Sequence, residues 1–458
     1  MSAHAAPSHI QMARAALRER RSIGGAITRT ASFNVLSSAA AALGGVIIAR
    51  ALGPSVRGDY AAITAWFGML LAIGEMGQSA AICYHVAHDP QQAQDYVASS
   101  RSIMLITGIF ALLAAIVVSP LLARGHSVLL HAYQIAFAGS VIAFVSTSYT
   151  YSLQARSIGD WNKVRLSQPL LSVVAMIVLW RLRLLSLTGA IDILVGTTLL
   201  QLGYAYYWCR RTELAPGQTR RQLMRPLARY GATQLAAIAP YSINLFLDRL
   251  LLSLLASPAD LGRYAVASSI ALVPIPLVSA IGNVAFPRLA AQRHVTAESH
   301  RLQRGAVLVS AGLATAILLP IAVSATWVIP LVFGPAFRGA VPLLWMLTPG
   351  GVFLSCSQVV SDLLRGRNRP GFVAISQGLA AVFTVVLLIA LLPVAGVAGA
   401  AIASSVAYGV ALIAMVQCLR RLPHEAPRPA APSAGLRPLR GRAARRSGSP
   451  EIDRCDEA

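Results

Sequence analysis

The chain has 458 residues, of which 56% are hydrophobic and only 12% are charged. Because water-soluble domains usually carry about 25% charged residues, this composition excludes an ordinary soluble enzyme. The formal net charge of +22 does not indicate a nucleic-acid partner, since basic loops between apolar spans are attracted to anionic membrane lipids instead.

Apolar stretches fill the chain from about residue 30 to residue 419, and each approaches the ~20 residues that a helix needs to cross a bilayer. They are too long and too uniformly apolar for the strands of a membrane β-barrel. The predicted spans are 30–49, 60–80, 102–123, 128–151, 164–181, 185–207, 230–254, 262–286, 305–326, 340–362, 371–392 and 396–419. We therefore predict an all-α integral membrane protein with twelve transmembrane helices in two six-helix bundles around a central cavity.

The spans divide the chain into five segments. These are a basic cytoplasmic N-terminal segment (1–29), an N-terminal six-helix bundle (30–208), a basic cytoplasmic linker (209–229), a C-terminal six-helix bundle (230–419) and a cytoplasmic tail (420–458). The tail is rich in Pro, Ala and Arg without periodicity, which predicts disorder.

Basic residues concentrate in alternate connecting segments. Residues 209–229 hold six arginines, whereas the turn between the first two spans holds only Arg50 and Arg57. Cytoplasmic loops carry the excess of Lys and Arg in membrane proteins. Both termini are therefore predicted to be cytoplasmic, in a multi-pass protein of a plasma membrane.

Catalytic and metal motifs are missing from the sequence. Lys163 is the only lysine, so a phosphate-binding loop ending in Gly-Lys-Ser/Thr cannot be built and the chain is not its own ATPase. His85 and His88 are interpreted as interfacial side chains. We expect no catalytic residues, no metal site and no cofactor, apart from a coupling ion such as H⁺ or Na⁺.

An internal repeat relates the two halves. Pro54, Gly58, Tyr60 and Ala61 recur 204 residues later as Pro258, Gly262, Tyr264 and Ala265. Pro and Gly are expected to turn the chain there, and Tyr to anchor it at the membrane interface. Six spans in each half predict a parallel repeat whose axis lies along the membrane normal.

Ionisable groups inside hydrocarbon are candidates for transport, because each costs several kcal/mol unless it is paired or hydrated. On the seventh span, Gln234, Tyr241, Asn244 and Asp248 share one helix face. This polar stripe predicts a surface turned toward the cavity, with interfacial anchoring of Asp248 as the alternative.

Two further acids lie in predicted spans. Glu75, in the second span, is a protonatable carboxylate that could couple ion entry to a conformational change, and a structural hydrogen bond is the alternative. Asp192 has no polar companions and is interpreted as structural or interfacial.

Arginines are the candidates for binding a diphosphate, since the guanidinium fork binds phosphate oxygens in pairs. Arg50, Arg249 and Arg263 are the selected phosphate-binding candidates. Others near the same end of the cavity are Arg57 and Arg338, and those near the opposite end are Arg29, Arg156 and Arg365.

Four groups of residues carry a resemblance to a known family. They are Asn34 with Ala49-Arg50-x-Leu52-Gly53-Pro54 and Gly58-x-Tyr60; Asp248-Arg249-Leu250-Leu251-Leu252 with Leu261-Gly262-x-Tyr264-Ala265-Val266-Ala267; Leu331-Val332-Phe333-Gly334 with Phe337; and Pro393, Gly396, Gly399-Ala400-Ala401 and Ala403. The chain resembles the polysaccharide-type flippases of the multidrug/oligosaccharidyl-lipid/polysaccharide exporter superfamily.

This resemblance implies alternating-access flipping of an undecaprenyl-pyrophosphate-linked glycan across a bacterial inner membrane, with a polysaccharide polymerase and glycosyltransferases as partners. It implies no enzymatic activity. Family members that flip the peptidoglycan precursor tend to have two further spans, which weighs against a lipid II flippase.

Three other functions stay open. A cation-coupled small-molecule exporter of the same superfamily usually has a more acidic cavity, for which only Glu75 would serve. A major-facilitator carrier would need a signature loop that residues 87–101 do not contain. A membrane enzyme acting on polyprenyl phosphates would need clustered catalytic groups, which the sequence does not show.

Overall fold

The structure, a computed structural model, describes residues 9–290, 297–367 and 369–421, and in these ranges the chain is helical without strands. Helices suit a chain in hydrocarbon because every backbone polar group is satisfied within its own segment. The α-helices are α1 (His9–Gly74), α2 (Gln78–His88), α3 (Ala93–Ala123), α4 (Ser127–Arg156), α5 (Ile158–Arg181), α6 (Leu187–Arg211), α7 (Arg221–Leu255), α8 (Pro258–Ala271), α9 (Ile275–Ala290), α10 (Ala297–Val323), α11 (Ala325–Phe333), α12 (Ala340–Gly366) and α13 (Pro370–Arg420).

Ten helical segments of the described chain are long and apolar enough to cross a membrane. Two of them, with 46 and 51 residues, each contain a glycine with positive φ, Gly53 in α1 (76°) and Gly396 in α13 (57°). The chain turns back at these glycines. After Gly396, a Cβ on Gly399 would lie 2.4 Å from the Leu391 carbonyl oxygen. Because α1 and α13 each supply two spans, the predicted twelve-helix fold in two lobes is confirmed.

The predicted second span, 60–80, is broken in the structure. Helix α1 ends at Gly74, Met76 and Gly77 have positive φ (47° and 65°), and α2 begins at Gln78. The break brings α2 against α7, where a Cβ on Gly77 would lie 2.3 Å from the Gly231 carbonyl oxygen. Hydrophobicity averaged over a span does not reveal such a break, since apolar residues such as Leu71 and Ile82 lie on both sides of the short polar stretch Glu75, Gln78 and Ser79.

The predicted eighth span, 262–286, is also divided. Helix α8 ends at Ala271 and α9 begins at Ile275. Pro274 and Pro276 remove two backbone donors and disfavour a continuous helix at this point. The turn between the first two spans is much shorter than predicted, because residues 50–52 and 54–59 are helical on either side of Gly53.

The chain ends lie partly outside the described ranges. Helix α1 begins at His9, so the predicted N-terminal segment 1–29 is helical from that residue onward. The predicted disorder of the tail 420–458 concerns mainly residues 422–458, which are outside the described residues. The predicted linker 209–229 overlaps the end of α6 and the beginning of α7.

The two ends of the molecule differ in how the lobes meet. We call the end that holds the turns at Gly53, Arg124–His126 and Ala256–Ser257 the distal face, and the opposite end, which holds the turn at Thr212–Arg220, the proximal face. Toward the distal face one buried hydrophobic cluster includes residues of both lobes, such as Ile63 and Val266. Toward the proximal face one cluster belongs to the C-terminal lobe, and the other combines the N-terminal lobe with Leu223, Leu227 and Tyr230 at the start of α7. The lobes are therefore joined distally through α1 and α8, and the start of α7 also contacts the N-terminal lobe on the proximal side.

The repeated motif forms the centre of the distal junction. A Cβ on Gly58 would lie 1.7 Å from the Pro258 carbonyl oxygen, and a Cβ on Gly262 would lie 1.9 Å from the Pro54 carbonyl oxygen. The glycines thus permit a close helix crossing rather than a turn, which the sequence interpretation did not anticipate. Tyr264 is also fully buried rather than placed at the membrane interface.

Candidate functional site

A cavity of about 330 Å³ lies between α1, α5, α6, α7 and α8. It contains side chains from both lobes, as the predicted central cavity requires. Its polar lining consists of Arg57, Tyr60, Thr64, Gln168, Ser172, Arg249 and Ser269.

Arg57 and Arg249 give this central cavity a positive charge. Arg57 is only 9% exposed, and the two guanidinium groups are close enough to repel each other. The buried Nε atoms of both arginines have no hydrogen-bond partner within the described chain. No carboxylate is found among the described lining residues. Since a buried cation without a counter-ion is strongly unfavourable, this pair attracts an anion.

Small residues on the first half of α1 make room for Arg57. A Cβ on Gly45 would lie 3.5 Å from Nη2 of Arg57, and Ala40, Ala41 and Gly44 line the same wall. Among the described lining residues, Tyr60 supplies the aromatic ring near the guanidinium, with 5.9 Å between Cζ and the ring centroid. The small-residue stripe, which usually favours close helix packing, here also shapes a cationic site.

The three predicted phosphate-binding arginines are not brought together. Arg249 lines the central cavity. Arg50 donates through Nη2 to the Leu331 carbonyl oxygen at 2.6 Å, and Arg263 forms an ion pair with Asp260 at 2.9 Å. Arg57, which was not selected as a phosphate-binding candidate from the sequence, lies beside Arg249 in the positions expected for Arg50 and Arg263. Its position directly before Gly58 of the repeat was the available signal.

The polar stripe of α7 is mostly engaged inside the C-terminal lobe. Asn244 Nδ2 donates to Gln377 Oε1 at 3.3 Å, and Thr384 donates to Asn244 Oδ1 at 3.0 Å. Tyr241 accepts a short hydrogen bond from Gln358. The stripe is thus buried away from lipid, but these members face α12 and α13 rather than the central cavity.

Asp248 lies at the distal end of the same stripe, in a hydrogen-bond network of its own. Its Oδ2 accepts a 2.5 Å hydrogen bond from the Tyr264 hydroxyl, which also lies 3.1 Å from Ser404 Oγ. Asp248 is 4% exposed, and its neighbour Arg249 points to the other side of α7. Helix α7 therefore places Asp248 against the C-terminal lobe and Arg249 in the central cavity.

Gln234 and Glu75 lie at the broken second span. The Gln234 Cβ would be 3.1 Å from a Cβ on Gly77. Glu75 is half-buried and accepts a hydrogen bond from Ser79 at 2.9 Å. These two residues are separate from the Asp248 network. Asp192 is exposed on α6.

Asp362 is an in-span acid that the sequence analysis missed. Its Oδ2 would lie 2.1 Å from a Cβ on Gly282, and its Oδ1 is 3.8 Å from Nη1 of Arg365. The partners Gln377, Thr384 and Ser404 were missed as well. Their signal was weak, because single polar residues are common in spans that pack against other helices.

The comparisons with known proteins agree with this architecture. A family model described as "Polysaccharide biosynthesis protein" matches residues 26–292. An uncharacterised membrane protein of Methanocaldococcus jannaschii is 25% identical over 209 residues, a match that covers 44% of this chain and 40% of that protein. The matched region thus spans only about two fifths of that relative's length.

Solved structures give a more extensive match. An inward-facing multidrug resistance MATE family transporter of the MOP superfamily has a TM-score of 0.71 at 16% identity, covering 84% of this chain and 94% of that one. The lipid II flippase MurJ in an inward closed conformation also has a TM-score of 0.71, at 13% identity, covering 85% and 88%. At these identities the similarity shows the fold.

Proposed function

Since this chain belongs to the polysaccharide biosynthesis protein family, we propose that it flips a polyprenyl-pyrophosphate-linked oligosaccharide across the bacterial inner membrane. The protein is a transporter of the MOP superfamily by family and fold, not an enzyme. The proposal concerns its substrate, its membrane and its orientation, with the proximal face and both termini on the cytoplasmic side.

The Arg57–Arg249 pair is the observation that carries this proposal. A diphosphate offers several anionic oxygens to the unpaired donors of the two guanidinium groups, and fork-shaped arginines bind such oxygens in pairs. The hydroxyl and amide groups of Tyr60, Gln168 and Ser172, which share the cavity, are suited to the first sugar.

The lobe contacts support alternating access. At the distal face, Arg50 of the first span donates to Leu331 in α11, and Arg124 at the end of the third span donates to Ser253 and Ala256 at the end of α7. The repeat relates the first span to the seventh and the third to the ninth, so the two contacts are related by the pseudo-symmetry. They close the distal face symmetrically, whereas on the proximal side the cluster of α9, α10, α12 and α13 is separate from the cluster of the N-terminal lobe.

Coupling is assigned to Asp248 and its network, with Glu75 as a second carboxylate. Binding of H⁺ or Na⁺ at Asp248 would change its hydrogen bond with Tyr264 and so the position of α7. Because Arg249 follows Asp248 directly, a movement of α7 also moves one of the two cavity cations.

A cation-coupled small-molecule exporter is the second candidate, favoured by the similarity to the MATE transporter. The positive charge of the cavity distinguishes the two candidate functions, because Arg57 and Arg249 would repel a cationic drug. The test compares flipping of a fluorescent polyprenyl-pyrophosphate glycan with efflux of a cationic dye in the same proteoliposomes. Dye efflux without glycan flipping would replace the proposal with the second candidate.

The partners follow from the substrate. A lipid-linked glycan delivered to the distal side is the substrate of a polysaccharide polymerase, and glycosyltransferases on the proximal side supply it. Anionic lipids are the expected neighbours of the basic proximal segments.

A further inference from the structure

A second polar cavity, of about 350 Å³, opens at the distal face. It lies between α1, the turn from α3 to α4, and the turn from α7 to α8. Its polar lining consists of Ser55, Asp59, Arg124, His126, Tyr133 and Ser253. It has no lining residue in common with the central cavity, so we treat it as a separate site.

The distal cavity contains both signs of charge. Arg124 has a left-handed backbone (φ 48°) and donates to the Ala256 and Ser253 carbonyl oxygens at 3.1 and 2.6 Å. These two bonds leave other guanidinium N–H groups free on an exposed side chain. His126 is exposed beside it.

Asp59 provides the negative charge. Its carboxylate is within electrostatic reach of His126 and Arg124. Yet it makes no hydrogen bond or ion pair with any described residue. An unpaired carboxylate turned toward a cavity favours a ligand that donates hydrogen bonds from a cation.

An apolar groove of about 280 Å³ adjoins this cavity and lies between α1, α3 and α4. The two share Leu122. Trp66, which lines the groove, donates from Nε1 to Ser253 Oγ of the distal cavity at 3.0 Å. The other lining side chains are apolar and include Met69, Leu70, Ile73, Val118 and Phe137.

A polar cavity with both charges above a continuous apolar groove matches an amphipathic ligand. We propose that the two form one binding site for a membrane phospholipid with a phosphate–ammonium headgroup, an aminophospholipid. The phosphate lies against Arg124 and His126, the ammonium donates to Asp59, and one acyl chain follows the groove beside Trp66 and Val118.

The charges decide between lipid classes. An anionic lipid without an ammonium group would leave Asp59 without a hydrogen-bond donor, and its negative charge would repel the Asp59 carboxylate. A quaternary choline headgroup carries the positive charge but has no N–H to donate. Only a headgroup that combines a phosphate for Arg124 with a primary ammonium for Asp59 satisfies both charges.

The site lies on the junction of the two lobes, because Arg124 belongs to the N-terminal lobe and Ser253 to α7. A bound aminophospholipid contacts both and therefore stabilises the joined distal face. This role is independent of the proposed glycan substrate, since it needs only a membrane protein with a closed distal junction.

Native mass spectrometry of the purified full chain tests the proposal. The probes are phosphatidylethanolamine, phosphatidylcholine and phosphatidylglycerol with identical acyl chains. We expect phosphatidylethanolamine to bind at least about tenfold more tightly than the other two, the difference that one charge-assisted hydrogen bond supplies. Equal binding of all three would overturn the proposal.

Variants separate the headgroup from the chain. Asp59→Asn and Arg124→Gln should each weaken phosphatidylethanolamine binding about tenfold, and Val118→Trp should block the groove. The control is Leu113→Trp, an exposed residue of the same helix outside the groove, which should bind normally. Unchanged binding of phosphatidylethanolamine by Asp59→Asn, or equal losses in Val118→Trp and Leu113→Trp, would refute this assignment.

Discussion

Gly58 and Gly262 face each other across the distal junction of the two lobes, each against the backbone of the other's helix. A Cβ on Gly58 would lie 2.9 Å from the Gly262 nitrogen, and a Cβ on Gly262 would lie 3.0 Å from the Gly58 nitrogen. The reciprocity shows that the repeated motif meets its own copy at the pseudo-symmetry axis. The distal seal is therefore a backbone contact that no larger residue can make.

Gly58→Ala should open this seal. The added methyl group would overlap the Pro258 carbonyl oxygen at 1.7 Å, and overpacking of this kind costs about 1–3 kcal/mol. The equilibrium between the two access states then shifts roughly 5- to 150-fold away from distal closure. Distance measurements between spin labels on the two lobes at the distal face should report wider separations.

Gly196→Ala is the matched control, because a Cβ there meets nothing within 4 Å. It should leave the distances unchanged. Wild-type distances in Gly58→Ala would contradict the assignment of this crossing as the distal seal.

Arg57→Gln and Arg249→Gln should each weaken binding of polyprenyl pyrophosphate. Loss of a hydrogen bond to a charged group costs about 1.5–3 kcal/mol, or roughly 10- to 100-fold in affinity. Arg249→Lys should recover only part of the loss, since an ammonium cannot bind two oxygens as a fork. Binding is measured by quenching of Trp fluorescence or by calorimetry.

The control for this pair is Arg338→Gln, which removes an exposed arginine outside the central cavity. Equal losses in Arg338→Gln and Arg57→Gln would mean that overall charge, not the cavity pair, attracts the ligand.

Asp248→Asn should impair transport more than membrane insertion. The substitution keeps the shape but removes the charge that accepts a hydrogen bond from Tyr264 and that we propose to bind the coupling ion. Tyr264→Phe removes the same hydrogen bond while keeping the carboxylate, so it should change the ion dependence of transport less than Asp248→Asn does. Transport under imposed H⁺ and Na⁺ gradients, normalised to the inserted amount, gives the comparison.

Glu75→Gln tests the second carboxylate in the same assay. A reduced ion dependence would assign Glu75 to coupling. Full glycan export by both Glu75→Gln and Asp248→Asn would show that the coupling assignment is wrong.

Cysteine labelling tests the orientation. In a chain without native cysteines, Ala215→Cys and Arg440→Cys should be inaccessible to a membrane-impermeant thiol reagent added from the periplasm. Ser127→Cys, beside the distal turn at His126, should react. The reverse pattern would place the termini outside and invert the proposed direction of transport.

The twelve-span fold was predictable because each span is a long, nearly uninterrupted run of apolar residues. The break at Met76–Gly77 was not, since it depends on the close approach of Gly231 from a distant helix. The repeat was also readable, but its glycines were assigned to a turn, because local turn chemistry and a close helix crossing use the same residue type.

The residues of the central cavity could likewise be predicted only in part from the sequence. Arg249 was selected because it lies inside a span, where a charge is conspicuous. Arg57 lies near a predicted turn, and only the folded position of α1 turns it inward beside Arg249. The polar stripe of α7 was correctly placed on one helix face, but it contacts α12 and α13 rather than the central cavity. Sequence periodicity defines a helix face and does not show which helices cover it.

Flipping of a fluorescent polyprenyl-pyrophosphate oligosaccharide in proteoliposomes tests the central claim most directly. We expect the wild type and Arg338→Gln to expose the labelled lipid to a quencher on the opposite leaflet. The double variant Arg57→Gln/Arg249→Gln should be slower by roughly tenfold or more. A double variant that flips at the wild-type rate, or a wild type that leaves the glycan in place, would contradict the account.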